Sequence, residues 1–181
     1  MVRIPYPDPQ QLDSRSKATL EELPKLNVFR MLAHSGVVLE GIRVLANGLL
    51  REGQLNPVLR EIAIIRTGLL RGSHYEVHQH EKLGQLYGMS QELLAAIHEG
   101  AEAAAFDPLQ RQVMLLTDDI VHNSRASDAT FGPLAAQLSP GEMLELVTCI
   151  GCYTMVSDLL NTFDVDIEAP EQSPEFKLPD R

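Results

Sequence analysis

Two carboxylates and three imidazoles fall within a short stretch of this sequence: Arg60-Glu61, then Ser73-His74-Tyr75-Glu76-Val77-His78-Gln79-His80. Glu76 and His80 are four residues apart, so on a helix they share one face. A carboxylate and an imidazole held together can pass a proton, bind a metal jointly, or simply form a pair. An imidazole titrates near neutral pH, which makes His80 the leading candidate for a group that both takes and gives a proton. Glu76 is spaced to orient or tune that ring. Glu61 sits in the preceding helix and reaches His80 if the two helices pack antiparallel across the Arg71-Gly72-Ser73 corner. A plainer reading makes Glu76 only the capping-box partner of Ser73 at a helix start.

The other candidates are weaker. His74 and His78 fall on a different helical face and read as surface residues. A metal site of His74, His78 and His80 lacks a ligand-spacing signature such as His-Glu-x-x-His, so no metal is expected. His34, His98 and His122 are isolated and read as structural. Cys149-Ile150-Gly151-Cys152 has redox-motif spacing but lies mid-helix in an apolar stretch, where burial raises a thiol pKa instead of lowering it. The expectation there is a pair of small core residues.

The elements that must position these side chains are helical almost throughout, with no sustained alternation of a strand. Residues 28–33 and 37–50 read as two helices split near Ser35-Gly36. Asn56-Pro57 opens the helix carrying Glu61, with Asn56 as cap and Pro57 at its first position. Ser73 opens the helix carrying Glu76 and His80, and Gly88 ends it. Further helices start at Ser90 and at Asp107-Pro108, a short one covers 130–138, and Ser139-Pro140 with Glu142 opens the last long one. The fold class is all-α: a single-domain bundle of about eight helices. Residues 1–15 are expected as an extended, proline-rich arm, 16–168 as the helical domain and 169–181 as an extended tail.

Composition narrows the function classes. The chain has 181 residues, 44% of them hydrophobic, enough for one domain with a real core. A formal charge of −10 argues against nucleic acid or an anionic membrane as partner. No run of eighteen apolar residues suggests a membrane span. The first nine residues lack the apolar stretch of a signal peptide, so a cytoplasmic protein is expected. Two cysteines make no disulfide framework.

Arg60-Glu61-Ile62-Ala63, the run from Gly72 to His80, and Tyr87-Gly88-Met89-Ser90 together resemble the core signature of the carboxymuconolactone decarboxylase family. Its superfamily also contains the alkylhydroperoxidase D proteins. The resemblance runs from Leu32-Ala33-His34 to residues 149–165, with Gly151, Tyr153 and Asn161. It implies an orthogonal helical bundle of the alkylhydroperoxidase D type, assembled as a homo-oligomer (dimer, trimer or hexamer). It also implies a pocket around Glu61, Glu76 and His80. The peroxidase branch carries a Cys-x-x-Cys pair four residues before the histidine. Here those positions are Ser73 and Glu76, so both thiols are absent and thiol-dependent peroxide reduction would have to fall to Cys149 and Cys152.

The decarboxylase branch implies chemistry on a small-molecule substrate with no cofactor. His80, Glu76 and Glu61 are then catalytic, and Tyr75, Arg66 and Ser73 bind substrate. Arg66, or alternatively Arg30, holds a carboxylate, and the Tyr75 hydroxyl bonds a lactone carbonyl. The expected function is acid/base decarboxylation, or a related lyase reaction, on a small carboxylated lactone or aromatic-catabolism intermediate. The alternatives are an antioxidant peroxidase using Cys149 and Cys152, or a non-catalytic oligomer that binds a small molecule.

Overall fold

Helix starts and stops are written locally. Asn56 Oδ1 accepts hydrogen bonds from the backbone N–H groups of Val58 (2.8 Å) and Leu59 (3.4 Å), with Pro57 behind it. Asp107 with Gln110 and Ser139 with Glu142 each form reciprocal capping boxes. A computed structural model describes residues 2–169, 171 and 174. Among them lie nine α-helices and one π-helical turn, with no strand. In chain order they are α1 (Ser14–Glu22), α2 (Asn27–Leu32), α3 (Gly36–Asn47), the π-turn (Gly48–Glu52), α4 (Pro57–Leu70) and α5 (His74–Leu86). They continue with α6 (Gln91–Glu99), α7 (Pro108–Asn123), α8 (Asp128–Ala135) and α9 (Pro140–Phe163).

Two differences from the sequence reading stand out at the N-terminal end. Helix α1 begins inside the arm expected to be extended, because Asp13 accepts from the N–H groups of Arg15 and Ser16 and starts a turn there. The helix read as 37–50 relaxes after Asn47 into the π-turn. Most of the extended tail expected at 169–181 lies outside the described residues.

Helix α4 is the hub. Nine of its residues are buried, including Glu61, Ile62, Ile64 and Ile65, and it packs on α5, α7 and α9. One side, through Ile62 and Ile65, joins a core with Ile97, Val113, Leu116, Leu134, Leu146 and Ile150. The other, through Ile64, joins a second core with Leu39, Ile42, Tyr75, Cys149, Tyr153 and Val156. A helix buried all round has little amphipathic pattern, and its apolar composition reflects that. Helix α9 is the one helix among the described residues long and apolar enough to cross a membrane by length and composition. Its inner face is spent on both cores.

The corner between α4 and α5 sets the site's geometry. Gly72 takes φ 65°, a left-handed conformation that glycine adopts without strain, and the Ser73 N–H closes back on the Gly68 carbonyl at 2.8 Å. Gly68 then lets the helices touch: a Cβ there would lie 3.1 Å from Val77 Cγ2 and 3.3 Å from Glu76 Cβ. The bulkier, β-branched Gly68→Val should force α5 off α4 and cost about 1–3 kcal/mol of stability, read as a lower urea midpoint. An unchanged midpoint would mean the two helices are not held at this contact.

Candidate active site

The close approach at Gly68 brings Glu61 and His80 together. His80 Nδ1 lies 2.7 Å from Glu61 Oε2, and a carboxylate only accepts, so Nδ1–H is the donor. The opposite ring nitrogen, Nε2, lies 3.4 Å from Glu76 Oε2. The other Glu61 oxygen accepts from Arg60 Nε (3.2 Å) and Nη2 (3.1 Å). All four side chains are buried: Glu61 is 0% exposed, Arg60 3%, Glu76 4% and His80 5%. The result is a row Arg60–Glu61–His80–Glu76 of alternating sign inside an apolar bundle. Tyr153 of α9 meets the His80 ring edge-on, centroids 4.7 Å apart, and fixes its plane. Arg60 also donates from Nη1 to the Leu49 carbonyl in the π-turn at 3.3 Å and sits 5.1 Å over the Tyr87 ring.

Burial alone would strip the proton from His80, but the Glu61 charge and hydrogen bond, with Glu76 behind them, outweigh it and raise its pKa above the ordinary histidine value. Burial likewise raises the Glu76 carboxyl; the His80 charge pulls the other way, and the Glu61 charge adds to the rise. Both groups therefore move toward holding a proton near neutral pH.

His80 and Glu76 open into a cavity of about 180 Å³. Its walls are largely apolar, from Leu26, Val28, Phe29, Ile42, Leu50 and Val156, while Arg43, Asn47 and Arg51 stand among them. Arg43 is engaged by Glu40 at 2.8 and 2.7 Å. Arg51, carried by the π-turn, has no ion-pair partner among the described residues. π-turns recur where a helix must re-aim side chains at a site.

The expected substrate-binding residues fare unevenly. Tyr75 lines the cavity with its ring, but its hydroxyl is committed: it donates to Glu168 Oε1 (2.5 Å) and accepts from the Val28 N–H (3.2 Å). It has no hydrogen left for a lactone carbonyl. Arg66 lies elsewhere, in a bidentate pair with Asp118 (2.6 and 3.0 Å) and bonded to the Ile97 carbonyl (3.2 Å), tying α4 to α6 and α7. Arg30 stacks 4.2 Å over Tyr6, also outside the cavity. Ser73 is buried at the α5 N-terminus but makes no capping bond, its hydroxyl has no partner among the described residues, and it does not line the cavity. The capping box with Glu76 is absent because that carboxylate turns to His80. His74 is exposed and His78 half-buried, and no group of three or more His, Cys, Asp or Glu among the described residues is placed to hold a metal ion.

Three features were not found from sequence. Glu168 is buried and gathers Tyr75, Gln79 Nε2 (2.5 Å) and the Asn27 N–H (2.5 Å), pinning the segment after α9 against α5 and α2. Tyr75 and Gln79, four apart, were the only local hint of it. Arg51 lies just past the run 37–50 read as ordinary helix and drew no notice there. Cys152 lines the cavity, whereas Cys149 is sealed in the core. Burial pushes the Cys149 thiol well up and, with the Glu76 charge, the Cys152 thiol up to about 11.

Residues 38–119 match the family model "Carboxymuconolactone decarboxylase family". Among solved structures, the chain resembles an uncharacterized peroxidase-related protein with an alkylhydroperoxidase AhpD core from Ralstonia eutropha JMP134. That match has a TM-score of 0.81 at 18% identity and covers 92% of each chain. A second uncharacterized peroxidase-related protein, from Silicibacter sp. TM1040, gives 0.80 at 16% identity over 97% of this chain and 95% of that one. A protein of unknown function from Agrobacterium tumefaciens gives 0.69 at 18% identity over 75% and 94%. No curated protein sequence matches. A segment of this chain is thus similar to the carboxymuconolactone decarboxylase family, and its fold is that of the AhpD-core structures.

Because its folded pKa is raised, His80 contributes stability that is complete below its unfolded value, about 6.5, and is lost as pH rises through the folded value. The urea-stability gap between wild type and His80→Gln should thus be widest in mildly acidic buffer and shrink toward alkaline pH. A gap independent of pH would contradict the paired, protonated imidazole.

Proposed function

We propose that this protein is a cofactor-independent acid/base enzyme acting on a small carboxylated substrate, with decarboxylation of a carboxylated lactone as the leading reaction. The observation that supports it most is the His80 imidazole, anchored at Nδ1 by a fully buried carboxylate and presenting Nε2 with Glu76 to an apolar cavity. A general acid needs a pKa near the working pH and a fixed geometry. Here Glu61 fixes the ring at Nδ1 and raises its hold on the proton.

In this reading the electrons of the breaking C–CO₂ bond flow into the conjugated lactone carbonyl, giving a dienolate. His80 Nε2–H then protonates carbon and Glu76 returns a proton to the ring, with solvent as the net source of the proton consumed. Arg51, with Arg43 beside it, takes the anchoring role first assigned to Arg66, since both line the cavity and a guanidinium suits a carboxylate. The oligomer and the aromatic-catabolism setting are part of this proposal.

One observation favours a second reading, thiol-dependent hydroperoxide reduction: Cys152 shares the cavity with Glu76 and His80. Against it, a thiol pushed up to about 11 is scarcely thiolate at neutral pH, and Cys149, its only partner in the chain, is sealed in the core.

Turnover of 4-carboxymuconolactone separates the readings. His80→Gln and Glu76→Gln should each lose about 10²–10⁴-fold in kcat, Arg51→Ala should chiefly raise KM, and Cys152→Ser should remain active. Hydroperoxide reduction abolished by Cys152→Ser would establish the second reading. No turnover of either substrate, with both still bound, would leave a binding protein.

A further inference from the structure

A second cavity, about 230 Å³, adjoins the first and has no assigned role. It is walled by Ile4, Met31, Leu32, Val38, Leu159, Phe163 and their apolar neighbours, and it shares two residues with the first cavity, Val28 and Val156. These two small side chains are the common wall. His80, Glu76, Arg43 and Arg51 all lie on one side of it. The far side is apolar apart from His34 and Ser35, and the His34 ring is already engaged by the Pro5 carbonyl at 2.9 Å.

The N-terminal arm roofs this space. The Arg3 N–H and guanidinium bond the carbonyls of Phe163 (3.0 Å) and Thr162 (2.9 Å), and the Tyr6 hydroxyl bonds Asp166 at 2.6 Å. Ile4, between these anchors, faces the cavity as a lining residue. The arm is thus strapped to its own chain, at the end of α9. Apolar voids of this size forfeit packing, and proteins keep few of them empty.

We propose that the second cavity receives the alkyl tail of the same ligand whose acid end lies in the first, so that the substrate class is an aliphatic carboxylic acid or an alkyl-substituted carboxylated lactone. The tail crosses this wall by parting the Val28 and Val156 side chains and ends under Ile4. This inference rests on the reading of the first cavity as a carboxylate site.

Calorimetric titration with butanoate, hexanoate, octanoate and decanoate tests it on the wild type, Ile4→Trp and Val38→Trp. The two tryptophans fill the second cavity from its roof and from the α3 side. Butanoate should bind all three proteins alike. In the wild type, affinity should climb about fourfold per added methylene once the chain outgrows the first cavity. That climb should stop in both filled variants. No gain with length, or a gain that both tryptophans leave intact, would overturn the second cavity alone. Failure of the wild type to bind butanoate would overturn the carboxylate reading of the first cavity and this inference with it.

Discussion

The hydrogen bond from His80 to Glu61 is the constraint on which the rest of this structure depends. A carboxylate with no solvent exposure is tolerated only when its charge is paired and its lone pairs are filled. Arg60 fills one oxygen and His80 the other. Losing either partner would leave a buried charge uncompensated, so α4, α5 and the π-turn are held in one mutual register. Glycine at 68, the left-handed Gly72 and the edge-on Tyr153 are the local arrangements that allow that register.

A second buried carboxylate organises the opposite flank. Glu168 draws Tyr75 and Gln79 of α5 and the first N–H of α2 onto one side chain. Through it, the segment following α9 helps set the wall formed by α2 and α5. The two carboxylates divide the labour: Glu61 supports a proton-carrying imidazole, while Glu168 immobilises side chains beside it. That division explains why Tyr75 lines the cavity without a free hydroxyl proton.

The all-helical class, the α4–α5 corner and the nearness of Glu76 to His80 were legible in the sequence because each rests on local spacing, whereas the approach of Glu61 to His80 depended on how the two helices pack. Asn56-Pro57 and Gly72 mark helix ends through their own side chains or backbone freedom, and residues four apart must share a face. What escaped notice depends on distant partners. Arg66 looked like a substrate anchor until Asp118, 52 residues away, was seen to occupy it. Glu168 meets its partners from 89 residues or more away. The π-turn that places Arg51 has no compositional signature, and the Ser73 capping box failed because His80 competes for the same carboxylate. Cys152 could not be separated from Cys149 without knowing which flank of α9 meets the cavity.

The dependence of His80 on Glu61 is tested most directly by titrating His80, followed by NMR, in the wild type and in Glu61→Gln. In the wild type His80 should titrate above the ordinary histidine range, and in Glu61→Gln burial should take over and its value fall below that range. An ordinary value in the wild type, or one that Glu61→Gln leaves unmoved, would contradict the claim that Glu61 holds this imidazole ready to give a proton.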